Sequence, residues 1–361
     1  MPIFSLYSQF FFLSCSSYEG SPKDTSIETG SNINPLDWDV NQEGTFNSGY
    51  RSVEETYTDL AGEVRTITVN IWYPTEDTQG DITTYVGYLE DPEVFYDASI
   101  AAPVHENGFP VFLFSHGNFG YGGNAPFLMH YLTSHGFVVI APDHKGNSVL
   151  DYGDDQPPMI RIWRVQDNQA SISALEKQDW AVQVNTQNII LSGHSFGSLD
   201  NWLLGGATLD QDAIDSFCDN ETVFSRPCTD AERAAFRTDF TDERIKGIVP
   251  MAGAKYFDWF SSTGRSNLSI PVYQMSGTED EDEPQRIFDE NESTPLRWLE
   301  MIGGCHQAFA LGACPNISNE DAFHITKVYN LAFAREVLFG DTSVTPLLNG
   351  ETEKEHVNIY K

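Results

Sequence analysis

Positively charged residues are scarce in this chain. Its 361 residues include 20 Lys and Arg against 53 Asp and Glu, which gives a formal net charge of −33 at pH 7. Binding to nucleic acids or to anionic membrane surfaces requires clustered basic residues. The composition therefore argues against both kinds of partner. It is compatible with a salty environment, where dissolved ions screen the repulsion between like charges.

The apolar run at the N-terminus is too short to cross a membrane as a helix, which takes about 20 residues. It extends from Ile3 to Leu13, and small residues and Cys15 follow. This pattern predicts the hydrophobic core of a secretion signal. The ending FLSC resembles a bacterial lipoprotein signal, although no Lys or Arg precedes the run and Phe12 replaces the usual Leu. Lipidation at Cys15 and simple cleavage both stay open. The chain is expected to be secreted, periplasmic or membrane-anchored, with Cys15 as its only attachment to a membrane.

Cysteine is rare, with five residues in the whole chain. Apart from Cys15, these are Cys218 and Cys228, ten apart, and Cys305 and Cys314, nine apart. Two short-range pairs predict two structural disulfides outside the cytosol, and buried reduced thiols are the alternative. No CxxC or His-rich spacing indicates zinc, so no metal site is predicted.

Apolar segments bounded by turn residues alternate with longer helical patterns. VRTITVNIWYP alternates like a half-buried strand, whereas FPVFLFSHG and FVVIAPDH are continuous runs, typical of strands buried on both faces of a parallel sheet. NIILSG, IKGIVPMAG, IPVYQM and LRWLEMIGG add further strands. The alternation predicts an α/β fold with a mostly parallel, doubly wound sheet of about eight strands flanked by helices.

The sequence GHSFG matches the G-x-S-x-G nucleophile motif and stands between a predicted strand and a predicted helix. Gly193 and Gly197 would allow the tight turn that lifts the hydroxyl of Ser195 above the sheet. The backbone N–H of Phe196 would then face negative charge that develops on a substrate carbonyl. A second donor is expected from the loop SHGNFG, where Asn118 follows a His-Gly turn. Its side-chain amide could bind substrate or brace the loop.

In the fold that carries this elbow motif, the catalytic residues follow in the chain order Ser, acid, His, so the general base lies downstream of the nucleophile. His306, His324 and His356 qualify by position. His324 lies in the last amphipathic helix and His356 in a charged segment, whereas His306 follows a strand and a Gly-Gly turn. His306 is therefore the predicted base, which would take the proton of Ser195.

The third member of such a set is a carboxylate at a strand end. Five carboxylates, from Glu279 to Glu283, follow the strand IPVYQM and the turn residue Gly277. Asp280 is the predicted acid because the turn brings the chain back over the sheet edge at this position, with Asp282 as the next choice. The other carboxylates are interpreted as solvated surface.

These motifs together resemble an α/β-hydrolase, in particular the platelet-activating-factor acetylhydrolase and dienelactone-hydrolase-like bacterial esterases. The resemblance rests on NIWYP, FPVFLFSHGNFG, HGFVVIAPDHKGNS, RVQDNQASISAL, SGHSFG, IKGIVPMAGA, PVYQMSGTEDEDEP and GGCHQAF. It implies an α/β-hydrolase fold and a serine carboxylic-ester hydrolase that needs no metal or organic cofactor. Dienelactone hydrolases proper use a cysteine nucleophile, which the elbow lacks here.

The predicted organisation is a signal and flexible tether (1–35), a catalytic domain (36–345) and a charged C-terminal tail (346–361). Residues 205–244 are an expected insertion that could act as a lid. The expected substrate is a short-to-medium acyl ester, and the expected state is a monomer. A phospholipase A2 or acetylhydrolase-like lipid esterase, a cutinase-like polyester hydrolase and a surface binding lipoprotein are the alternatives.

Overall fold

A computed structural model of the chain describes residues 34–151, 156–220, 226–253, 258–260, 262–280, 284–291 and 294–361. Cys15 and Asp282, which carried sequence predictions, lie outside the described residues. Among the helices formed by these residues, none is both long and apolar enough to cross a membrane.

The described residues form one sheet of eleven strands. The strands are β1 (Asn47–Thr58), β2 (Val64–Thr75), β3 (Ile82–Tyr85), β4 (Leu89–Tyr96), β5 (Phe109–Ser115), β6 (Val138–Asp143), β7 (Val184–His194), β8 (Ile245–Met251), β9 (Val272–Gly277), β10 (Leu296–Met301) and β11 (Val357–Tyr360). Their order across the sheet is β11-β10-β9-β8-β7-β5-β6-β2-β1-β4-β3.

The helices of the same residues are α1 (Pro126–Ser134), α2 (Ile160–Glu176), α3 (Gly197–Gly205), α4 (Gln211–Asp219), α5 (Asp230–Ala235), α6 (Ser262–Ser266), α7 (Pro284–Asp289), α8 (Asn319–Phe339) and α9 (Thr345–Leu348). Short 3-10 helices cover Pro35–Asp37, Ala181–Gln183 and His306–Phe309.

Strands β5 to β10 form the parallel centre of the sheet. Strands β2 and β11 flank this centre and pair antiparallel with β6 and β10. The mostly parallel, doubly wound α/β sheet predicted from the sequence is confirmed, with more strands than the eight or so expected. Two of the additional strands, β3 and β11, have four residues each, which is too short for alternation to be distinctive. Strand β11 lies in the segment that was interpreted from the sequence as a charged tail (346–361).

Helices cover both faces of the sheet, which explains why its central strands are continuously apolar. In β5, Val111 and Leu113 pack into the core on the side of α2 and α3. Phe112 and Phe114 alternate with them and pack on the other side, with α1 and α8. Because β5, β7, β9 and β10 run parallel, their carboxyl ends lie at the same edge of the sheet. A ligand site is expected at this edge in open α/β folds.

Candidate active site

Ser195 occupies a strained turn between β7 and α3. Its backbone φ is 54°, in the left-handed region that residues with side chains rarely adopt. A Cβ at Gly193 would lie 2.4 Å from the carbonyl oxygen of Gly197, and a Cβ at Gly197 would lie 2.1 Å from that of Ser115. Only glycine fits at these two positions. The turn therefore has the geometry that the motif predicted for a nucleophile elbow.

The side chain of His306 lies beside Ser195, and Nε2 is 2.8 Å from Oγ. On the other side of the ring, Nδ1 is 3.0 Å from Oδ2 and 3.1 Å from Oδ1 of Asp280. The Asp280 side chain is 4% exposed and that of His306 is 32% exposed. The three side chains thus form a continuous hydrogen-bonded series that runs from a buried carboxylate to a hydroxyl.

Close backbone contact joins the turn after β9 to the loop after β10. A Cβ at Gly277 would lie 2.0 Å from the carbonyl oxygen of Gly304, and the N–H of Glu279 donates to that same oxygen at 2.9 Å. The Glu279 carboxylate accepts a hydrogen bond from Asn316. Adjacent carboxylates therefore have different surroundings, and it is Asp280 that contacts the imidazole of His306.

The alternative histidines lie elsewhere. His324 and His356 line a cavity of about 210 Å³ whose lining residues do not include His306. His116 is fully buried, and Nδ1 donates to the carbonyl of Gly117 at 2.7 Å. Its Nε2 accepts from the backbone N–H of His144 at 3.1 Å. Burial, followed by the nearby Arg164 charge, holds the pKa of His116 well below its ordinary value, so the ring stays neutral.

The loop after β5 passes close to the elbow. A Cβ at Gly117 would lie 3.3 Å from Cβ of Ser195. The carbonyl of Gly117 accepts from the His116 ring and from the N–H of Gly120, which fixes the orientation of the peptide that carries the Asn118 N–H. The Asn118 side chain accepts from Nδ2 of Asn147 at 2.6 Å and so braces the loop.

Two further residues support this arrangement, and the sequence did not assign a role to either. His194 donates from Nε2 to the carbonyl oxygen of His306 at 2.7 Å. Arg164, in α2, is fully buried and reaches the loop after β5. The RVQD segment of α2 was the available signal, because a buried helix face with an Arg and an Asp requires specific partners.

Both cysteine pairs predicted from the sequence are disulfides, Cys218–Cys228 and Cys305–Cys314. The second one begins directly before His306. Disulfides are typical of exported proteins, in agreement with the expected destination of the chain. In the part of the chain that the structure describes, no three His, Cys, Asp or Glu side chains are grouped so as to hold a metal ion.

The sheet and the elbow give the chain an α/β-hydrolase fold, as the resemblance seen in the sequence implied. Residues 87–206, well under half of the chain, match the model of the Chlorophyllase family. The structure resembles a ferulic acid esterase from Streptomyces cinnamoneus with a TM-score of 0.61 and 17% identity, over 89% of this chain and 97% of that one. At this identity the similarity shows the fold. No curated protein matches the chain.

Proposed function

We propose that the protein is a serine carboxylic-ester hydrolase that acts through an acyl-enzyme on Ser195. The observation that carries this proposal is the series Ser195–His306–Asp280, with hydrogen-bond distances of 2.8 and 3.0 Å. The match to the Chlorophyllase family and the similarity to a ferulic acid esterase support ester hydrolysis as the reaction class. Neither fixes the substrate.

In the proposed mechanism, His306 Nε2 takes the proton of the Ser195 hydroxyl as its oxygen attacks the ester carbonyl. Asp280 accepts from Nδ1–H, holds the ring in the required tautomer and stabilises the imidazolium that forms. The proton then passes from Nε2 to the leaving alcohol. A water molecule repeats the cycle with the acyl-enzyme and releases the carboxylic acid, again with His306 as base.

The negative charge on the carbonyl oxygen needs two donors in the same mechanism. We assign them to the backbone N–H groups of Phe196 and Asn118. Phe196 follows the nucleophile directly and precedes the first residue of α3, so the positive end of the helix dipole supports it. For Asn118, the supporting observation is the hydrogen bond from the His116 ring to the Gly117 carbonyl. The N–H of Asn118 belongs to the same peptide group as this carbonyl and therefore points away from the His116 ring.

The proposed substrates are esters with short-to-medium acyl chains, and the proposed state is an exported monomer without nucleic-acid partners. The insertion contributes Phe217 of α4, whose ring centroid lies 4.6 Å from the guanidinium of Arg161. The same guanidinium lies 5.7 Å from the ring of Phe196. The insertion therefore reaches the neighbourhood of the elbow, and we propose that it helps to shape the acyl-binding side of the site.

The direct test is hydrolysis of p-nitrophenyl acetate and butyrate by wild type and Ser195→Ala. Ser192→Ala is a matched control, because that buried hydroxyl only bonds the carbonyl of Val249 in the neighbouring strand. We expect Ser195→Ala alone to abolish turnover, and equal rates for wild type and Ser195→Ala would refute the proposal. Esters of graded chain length, phospholipid vesicles and polyester films then separate a carboxylesterase from lipid and polymer hydrolases. A wild type that binds but never hydrolyses these esters would favour a binding lipoprotein.

A further inference from the structure

Arg164 is a charged side chain with no exposed surface. Removing a guanidinium from water costs several kcal/mol unless its hydrogen bonds and charge are met inside the protein. Its Nε lies 3.3 Å from Oδ2 of Asp200, which is also fully buried. The same carboxylate oxygen accepts from Oγ of Ser115 at 2.6 Å. The arginine is therefore fixed by a buried counter-charge, and its planar end is directed at the loop after β5.

The two terminal nitrogens of Arg164 hold that loop on both sides of Gly117. Nη2 donates to the carbonyl of His116 and, at 3.1 Å, to Oγ of Ser115. Nη1 donates at 2.7 Å to Oδ1 of Asn147, whose Nδ2 in turn donates to Oδ1 of Asn118. The residue before Gly117 is thus held directly and the residue after it through one amide.

Arg164 also contacts the elbow. Its guanidinium carbon lies 4.5 Å from the ring centroid of Phe196, within the range of a cation–π contact. Phe196 is 4% exposed, so this contact is shielded from water. One side chain therefore touches both segments to which the two oxyanion donors were assigned.

We propose that Arg164 is the positioning residue that aligns the two halves of the oxyanion hole. This inference rests on the proposed function. Oxyanion donors lower a barrier only if they are aligned before the charge develops, since realignment during the reaction would cost the energy that they supply. The alignment requires several donors in one plane, which arginine has and the single nitrogen of lysine lacks.

The test uses Arg164→Lys, which keeps the charge, and Arg335→Gln as a control. Arg335 is similarly buried, at 3% exposure, and bonds the carbonyls of Leu36 and Trp38 and the carboxylate of Asp341. None of these groups belongs to the site. For each variant we would measure the melting temperature, kcat and KM for p-nitrophenyl butyrate, and the rate at which a fluorophosphonate labels Ser195.

For Arg164→Lys we expect kcat and the labelling rate to fall about 100-fold, because the loss of one aligned oxyanion donor has an effect of this size on kcat. KM should change less than about threefold, since the substrate's ground state does not depend on that donor. Arg335→Gln should lower the melting temperature and keep the kcat of the folded enzyme. A folded Arg164→Lys variant with wild-type kcat would overturn the inference.

If Arg164→Lys does not fold, Asn147→Ala takes its place, since it removes the bridge from Arg164 to Asn118 and keeps the bonds of Arg164 to Ser115 and His116. An approximately 10-fold loss of kcat at an unchanged melting temperature would support the inference, and wild-type kcat would contradict it. A wild type that neither hydrolyses the ester nor reacts at Ser195 would instead refute the proposed function itself.

Discussion

The ring of His194 donates from Nε2 to the backbone carbonyl of His306 at 2.7 Å. His194 directly precedes Ser195 in the elbow, while His306 presents its own Nε2 to the Ser195 hydroxyl. The hydrogen bond therefore joins the two segments that carry the proposed nucleophile and base, which are 111 residues apart in the sequence. The residue between glycine and serine in the elbow thus has a specific hydrogen-bond partner in this chain.

Removing this link should slow hydrolysis. For His194→Ala we expect a loss of about 10- to 100-fold in kcat, because a shift of the His306 loop by a fraction of an ångström moves the base out of line. His194→Gln keeps a donor at that position and should recover part of the loss. Steady-state kinetics on the two purified variants checks this, and wild-type kcat in His194→Ala would contradict it.

The acid can be identified by exchanging single carboxylates in the run after β9. Asp280→Asn should reduce kcat by about 10⁴-fold, because an amide at this position favours the wrong tautomer of His306. Glu279→Gln is the control, since its carboxylate bonds Asn316, and it should stay within about twofold of wild type. Asp282→Asn tests the alternative acid. A large loss there with little effect of Asp280→Asn would reverse the assignment.

The disulfide beside His306 should stabilise both the fold and the position of this proposed base. Closing a loop of this size contributes roughly 2–3 kcal/mol to the free energy of unfolding. The double variant Cys305→Ala/Cys314→Ala should therefore unfold at lower denaturant concentration and show a lower kcat at a temperature where it is still folded.

The disulfide Cys218–Cys228 provides the comparison, because it closes a loop of nearly the same size: its cysteines are ten residues apart, and those of Cys305–Cys314 are nine apart. Cys218→Ala/Cys228→Ala should lose similar stability while its kcat falls less, since that bridge lies in the insertion and not next to the base. Equal losses of kcat in the two double variants would show that the bridge at Cys305 has no special effect on His306.

Stability should also depend on pH through His130. Burial alone would lower the pKa of His130, but hydrogen bonds from its ring to Asp91 and Glu93 outweigh this and raise the pKa to about 9. In the unfolded chain a histidine has a pKa of about 6.5. The stabilisation is therefore complete below about pH 6.5 and is lost as the pH rises through about 9.

Urea unfolding of wild type and His130→Gln at about pH 6 and about pH 9.5 tests this linkage. The difference in the free energy of unfolding should be on the order of 2 kcal/mol at the lower pH and should approach zero at the higher pH. A difference that is the same at both pH values would show that the histidine is not charged in the folded protein.

The elbow turn and the histidine proposed as the base could be located from the sequence because simple rules of turn geometry and chain order fix them. Gly193 and Gly197 are demanded by a turn that only glycine can form, and the fold's chain order leaves few histidines after the last central strands. The doubly wound sheet was equally accessible, since β5 and β6 are apolar up to their last residues, Ser115 and Asp143. The turn and the strands depend on residues that are close in the chain, and the histidine depends only on its order along the chain.

The positioning contacts could not be predicted, because they join distant segments through single atoms. Nothing in the spacing of His194 and His306 indicates a hydrogen bond to a backbone carbonyl. The RVQD segment indicates that Arg164 needs partners, but not that these partners lie in the loops after β5 and β6. The short edge strands β3 and β11 were not predicted for a related reason. A strand of four residues is stable only when it pairs with a longer strand that is already in place.

The most direct test is to identify the residue that an active-site-directed reagent modifies covalently. Wild type and the Ser195→Ala and His306→Ala variants would be treated with a fluorophosphonate that mimics the tetrahedral intermediate, and the adduct located by peptide mass spectrometry. We expect one adduct on Ser195 in the wild type, none in Ser195→Ala, and very slow labelling in His306→Ala. An adduct on another residue, or an active wild type that never becomes labelled, would contradict the acyl-enzyme mechanism.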